Sequence, residues 1–198
     1  MKSVEVGKWT PQRKIVATAD KFGNTGIKNQ QGTTRVIYDT LPFDGRTEYR
    51  FFEGSAQRNF PFSNTGSDGN RLGVGNALVV ERAYLSIVTT GEGGTPFETV
   101  APIALGINAN ILLAEFSFSI ANTEVIKNVP VMSWLPQFNK VAENQLNTNF
   151  EFDTQVVIQP LLEFVAGLRL PAGVVTPDAF LRLTIEGTGA IISPRATF

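Results

Sequence analysis

The chain has 198 residues, 17 cations against 18 acids, and neither histidine nor cysteine. That excludes disulfides, imidazole or thiolate zinc sites, and nucleophilic catalysis through a Ser-His or Cys-His pair. Fifteen Phe, 18 Gly and 11 Pro describe instead apolar runs cut by turn residues, the composition of β structure rather than of helices.

The charge is uneven along the chain. Residues 1–37 hold seven cations against two acids, a net of +5, and the remainder holds ten against sixteen, a net of −6. Residues 1–35 are polar, rich in Gly, Asn and Gln, and without periodicity. They read as an extended basic arm, 1–35, ahead of a β domain, 36–198. Within the arm Lys2, Lys8, Arg13, Lys14, Lys21 and Lys28 are interleaved with Trp9 and Phe22. Cations with interspersed aromatic rings suit phosphate contacts and base stacking, and Trp9 suits equally an anchor in a neighbouring subunit's groove. The density of about one cation per five residues is also that of an ordinary solvated arm.

Val36–Thr40 and Tyr49–Glu53 are short β-like runs. A turn-rich stretch follows from Gly54 to Gly75. Ala77–Thr90, ALVVERAYLSIVTT, is rich in β-branched and aromatic residues and reads as a strand ended by the GEGG of 91–94. Pro102–Ile107 suggests another. Ile111–Ile120 alternates, with Ala114, Phe116, Phe118 and Ile120 on one face and Glu115, Ser117 and Ser119 on the other. Ser133–Leu146 holds a run near helical spacing, predicting a short helix near 136–146. Phe150–Ile158 alternates again, Phe150, Phe152, Val156 and Ile158 opposing Glu151, Asp153 and Gln155. Leu161–Leu170 is a further run, Phe180–Glu186 sets Leu181, Leu183 and Ile185 against Arg182, Thr184 and Glu186, and Gly189–Ser193 closes the chain.

Eight or nine strands without α/β alternation predict an all-β antiparallel sandwich, best as a single jelly roll. An immunoglobulin-like sandwich is the alternative, and its Cys–Trp–Cys core is absent. The N-terminus shows no apolar signal segment, and the longest apolar stretch is too short and too polar to span a bilayer.

The chemistry left to a His-free, Cys-free chain is narrow. GVGN at 73–76 lacks the Lys-Ser/Thr of a phosphate loop, and GEGG precedes no helix. NTGSDGN at 64–70 offers oxygens around Asp68, but the EF-hand spacing fails at Gly75, so an Asx-turn is the simpler meaning. Glu151, Asp153 and Glu115 could in principle pair as glycosidase carboxylates. An outward strand face explains all three. No catalytic, cofactor or metal residue is assigned, and no cofactor is expected.

The run LPFDGRTEYRFFEGSAQRNFPFSNTG, followed by NRLGVGNALVVERAYLSIV, resembles structural proteins of bacteriophage particles. With the basic arm ahead of a β domain, the plan as a whole resembles the jelly-roll coat proteins of icosahedral bacteriophages. That resemblance covers Leu41–Val88 and the overall organisation. It implies a virion structural protein that self-assembles into a capsid around the genome in the host cytoplasm. Lys2, Lys8, Trp9, Arg13, Lys14, Lys21 and Lys28 would then contact genome or neighbouring subunits. Fifteen Phe are many for one core of this size, which would place Phe51, Phe52, Phe60 and Phe62 at subunit contacts or, alternatively, over the ends of the sandwich. Its partners would be copies of itself, other virion proteins and packaged nucleic acid. The arm is less basic than many coat-protein arms, which favours subunit clamping. The alternative is a phage accessory, fibre or receptor- or carbohydrate-binding sandwich.

Overall fold

The structure is a computed structural model and describes residues 31–53, 60–65, 69–73, 76–90, 96–102, 111, 113–134, 149–173 and 179–191. Nine strands run through these residues: β1 (Gln31–Pro42), β2 (Glu48–Phe51), β3 (Asn76–Thr90), β4 (Pro96–Pro102), β5 (Glu115–Ile120), β6 (Thr123–Pro130), β7 (Asn149–Ile158), β8 (Phe164–Arg169) and β9 (Ala179–Ile191). No α-helix occurs among the described residues, and Val131–Trp134 forms a short 3-10 helix.

The strands form two antiparallel sheets that share one core. One has the order β1-β9-β3-β4, with β7 on the same edge of β3 as β4. The other has the order β2-β8-β5-β6. β9 pairs with β3 from Asn76 to Thr89, while the opposite edge of β3 is shared between β7 along Leu78–Tyr84 and β4 along Ser86–Thr90. The pairs nest: β1 with β9, β2 with β8, β3 with β7, β5 with β6. Successive nested pairs alternate between the two sheets, and β4 is paired to β3 outside that nesting.

The expected alternation is realised in β5 and β9, where Phe116, Phe118, Leu181, Leu183 and Ile185 are buried. β3 departs from it. Leu78 and Val80 face the core before Glu81, and Ala83, Leu85 and Ile87 after it. The register with β9 shifts between Val80 and Arg82, so Glu81 is a bulge, and one extra residue exchanges the two faces of a strand. The Thr188 hydroxyl donates to Oε1 of Glu81 at 2.6 Å, holding the bulged side chain.

Phe43, Phe51, Phe52, Phe116, Phe118 and Phe164 are core residues, with Phe150 and Phe152 packed against them. Ring contacts run from Phe52 to Phe164 (5.2 Å), on to Phe118 (6.4 Å), Phe152 (6.4 Å), Phe150 (5.0 Å), Trp134 (5.5 Å) and Phe116 (5.0 Å). Each buried ring contributes about 1.5–3 kcal/mol by leaving water, so this one core absorbs much of the aromatic content.

Two boundaries move, and one strand is new. The ladder with β9 begins at Gln31, so residues 31–35, expected in the arm, belong to the sheet because Gly187–Ile191 offers them a pairing edge. β4 covers Pro96–Pro102, earlier than the run expected at Pro102–Ile107, whose residues 103–107 lie outside the described set. β6 has no counterpart in the sequence reading. The helix expected near 136–146 lies outside the described residues, as do residues 1–30.

Candidate interaction surface

The two sheets start together, with β1 and β2 in contact at one lateral edge, and the 3-10 helix touches both β6 and β7 at the other. Each lateral edge is closed differently.

At the β1 edge a loop takes the place of a further strand. Asn64 mimics a strand partner. Its Oδ1 accepts from the Tyr38 N–H at 2.8 Å, and its Nδ2 donates to the Val36 carbonyl at 2.7 Å. Ser63 bridges Asp39 in antiparallel fashion. Arg182, pointing outward from β9, donates to the Pro61 carbonyl at 2.9 Å and to Thr40 Oγ1 at 3.0 Å, and lies 4.4 Å over the Tyr38 ring. Its burial under the loop lowers the guanidinium pKa from the usual arginine value. Phe62 packs edge-on against Phe180 at 5.8 Å. The loop is therefore fixed at Pro61, Phe62, Ser63 and Asn64, and Phe60, just before these anchors, is 84% exposed.

At the β6 edge the register with β5 shifts twice, between Phe116 and Phe118 and again before Ser119. Asn128 sits at φ 47°. Two irregularities in eight residues, with Lys127 and Pro130, blunt an edge against strand addition. Where β6 ends, the Val131 N–H donates to the Ala114 carbonyl at 2.8 Å, continuing the ladder by one step. Beside that step, Leu113 is 59% and Met132 52% exposed.

These placements sort the expected interface residues. Phe51 and Phe52 are not available to a neighbour, being 0% and 1% exposed. Phe51 points inward from β2, and Phe52, at φ 60°, turns its ring in as well and donates its N–H to Asp39 Oδ2 at 2.7 Å. Phe62 is half-buried on Phe180. Phe60 is left as the projecting ring. Lys2, Lys8, Trp9, Arg13, Lys14, Lys21 and Lys28 lie outside the described residues.

The carboxylates do not converge. Glu115 is on the outer face of the β2-β8-β5-β6 sheet, and the exposed Glu151, like Asp153, is on β7 of the other sheet. Among the described residues no group of three or more His, Cys, Asp or Glu could hold a metal ion. No helix among them is long and apolar enough to cross a membrane.

Asp39, Asn64 and Arg182 escape a sequence reading. The one available signal is parity: Asp39 shares a face with Ile37 and Leu41, an acid on an apolar stripe that must find N–H donors there. No family model, curated protein or solved structure matches this chain.

Proposed function

We propose that this chain is a virion structural protein, a coat subunit that folds as a single jelly roll and self-assembles into an icosahedral capsid around a genome. The observation that carries the reading is the nested pairing of β1 with β9, β2 with β8, β3 with β7 and β5 with β6, alternating between sheets. Setting aside β4, the sheets read 1-8-3-6 and 2-7-4-5, the order of an eight-strand hairpin rolled up. Jelly rolls are the architecture of many viral shells, and also of lectins and cupins.

Assembly is supported by the surface. A ring exposed at 84% on a loop fixed by its neighbours loses little freedom when a partner covers it. The basic residues 1–30 would contact genome or thread between subunits at the inner surface of the shell, in a virion assembled in the host cytoplasm.

A second reading, a phage accessory, fibre or carbohydrate-binding module, is favoured by Tyr38 and Tyr84. Both are in register with Thr184, on either side of β9, on the outer sheet face. Aromatic rings flanking a hydroxyl are a sugar-binding arrangement.

Light scattering with negative-stain imaging at low and high salt tests the first reading. Closed particles or symmetric capsomers support it. Their loss on removing residues 1–30, which leaves β1 whole, assigns the basic segment a role in assembly. A monomer under all conditions that binds glycans, and stops when Tyr84 becomes Ala, establishes the second.

A further inference from the structure

Residues 36–41, VIYDTL, are largely β-branched or aromatic and carry one charge, a composition that pairs readily with another strand. They lie in the outermost strand of their sheet, since β1 pairs with β9 alone among the described strands. Such an edge is a template for strand addition between copies unless something covers it. We infer that the loop 61–65 is a latch that holds this edge of β1 closed to a strand of a second copy. The inference goes beyond the coat reading and does not rest on it.

The latch works by occupying main-chain groups. In an antiparallel sheet an added strand would bond to the outward N–H and C=O groups of alternate residues. On β1 these include the Val36 carbonyl and both groups of Tyr38, and Asn64 takes all three. Its Nδ2 donates to Val36 at 2.7 Å, its Oδ1 accepts from the Tyr38 N–H at 2.8 Å, and its own N–H donates to the Tyr38 carbonyl at 3.4 Å. Ser63 adds a bridge to Asp39. A second copy's strand needs the same groups, so loop and strand exclude each other.

The loop is also held from outside β1. Arg182 donates to the Pro61 carbonyl at 2.9 Å, and Phe62 packs on Phe180 at 5.8 Å, both partners being on β9. The Thr65 hydroxyl donates to the Gly69 carbonyl at 3.0 Å and lies 2.9 Å from Ser63 Oγ. These contacts bring Ser63 and Asn64 to the edge, and Asn64 seats the loop on it. The β6 edge is blunted by its own irregular backbone, whereas closure of the β1 edge depends on one side chain.

The test uses the full chain as wild type, Asn64→Asp, Asn64→Asp with Val36→Lys, and Ile185→Val. Asp at 64 keeps the side chain's size and sets an oxygen against the Val36 carbonyl, which lifts the loop. Lys at 36, where the side chain is 42% exposed, guards the edge by charge instead. Ile185→Val loosens the buried core and leaves the latch seated. Sedimentation velocity and thioflavin T fluorescence are read across protein concentration. The expected result is that Asn64→Asp gains thioflavin-positive species larger than any the wild type forms at the same concentration, and that Val36→Lys removes them. Asn64→Ala, which deletes the two side-chain bonds without adding charge, should show a smaller gain and decides the matter if the Asp variant does not fold. Wild-type sizes in the Asn64 variants overturn the inference. Larger species that persist with Val36→Lys also overturn it, because they join through another surface. Larger species that Ile185→Val reproduces overturn it as well, because they come from general loosening. Each variant is compared with the wild type, so the outcome reads the same whether the wild type is a monomer or a particle.

Discussion

A Cβ built on Gly187 would stand 1.9 Å from the carbonyl oxygen of Val79. β9 and β3 therefore meet backbone to backbone beside the Glu81 bulge, and the residue opposite the bulge cannot carry a side chain. Gly187→Ala should destabilise by about 3 kcal/mol, the upper part of the range for overpacking, because the atoms in the way are main chain and cannot swing aside. Gly73→Ala is the control. There the nearest atom, Nδ2 of Asn76, is at 3.5 Å, and the change should stay within about 0.5 kcal/mol. Urea unfolding midpoints compare the two, and equal effects would show that β3 and β9 are not so close.

Asp39 ties β1 to the end of β2. Its carboxylate is buried and accepts from the Phe52 N–H at 2.7 Å and the Thr40 N–H at 2.9 Å. Asp39→Ala leaves both donors without their acceptor, and should cost about 3 kcal/mol, since bonds to a charged acceptor are worth about 1.5–3 kcal/mol. Asp39→Asn keeps one accepting oxygen and turns an amide towards the other donor, so it should fall between Ala and wild type. An Asn variant as unstable as the Ala variant would mean that charge, not geometry, is what the site needs.

Much of this is only partly legible in the sequence. Strict alternation in β5 and β9 revealed which residues face inward, because one face of each is buried along its length. β3 defeats the same reasoning: a single bulged residue swaps its faces, and nothing in ALVVERAYLSIV marks Glu81 as the extra one. β6 is invisible because its side chains are largely exposed and its bulges erase any period. Phe51 and Phe52, expected at subunit contacts, are both buried, because Phe51 faces inward from β2 and a positive φ at Phe52 turns its ring in as well. The nested order of the strands depends on pairings up to 160 residues apart, Gln31 with Ile191, and no local pattern carries it.

The β1–β2 turn should set both pH limits of a local stability change. The Arg46 side chain, bonded to Asp44 at 2.7–2.8 Å, holds that carboxyl below the ordinary 3.8. A depressed folded value gives stability that is present above pH 3.8 and lost as pH falls through the folded value. Asp44 and Arg46 are exposed, so this contribution is small. Burial, followed by the nearby Asp44 charge, pushes the Tyr49 hydroxyl above its ordinary 10.0. A raised folded value gives stability that is fully present below pH 10.0 and is lost as pH rises from there through the folded value. Unfolding midpoints across pH should therefore fall at both ends. Asp44→Asn should flatten the acid side, and Tyr49→Phe the alkaline side. An unchanged alkaline limb in Tyr49→Phe would place that titration elsewhere.

Trp134 carries a buried polar atom with no partner among the described residues. The side chain is 2% exposed, wedged between Phe116 and Phe150, and its Nε1–H is buried with no acceptor among the described residues. A buried donor left unpaired costs about 1–3 kcal/mol. Trp134→Phe removes that donor and leaves a void of roughly one small ring, worth on the order of 1 kcal/mol by the cavity relation. The two changes oppose each other, so Trp134→Phe should lie within about 1 kcal/mol of wild type. Trp134→Ala removes the whole ring from the aromatic row and should cost about 3–5 kcal/mol. Urea unfolding of the three proteins separates the contributions. A Phe variant that loses more than about 2 kcal/mol would mean that the indole N–H does hold a partner, and that Trp134 is kept for its hydrogen bond as well as for its packing.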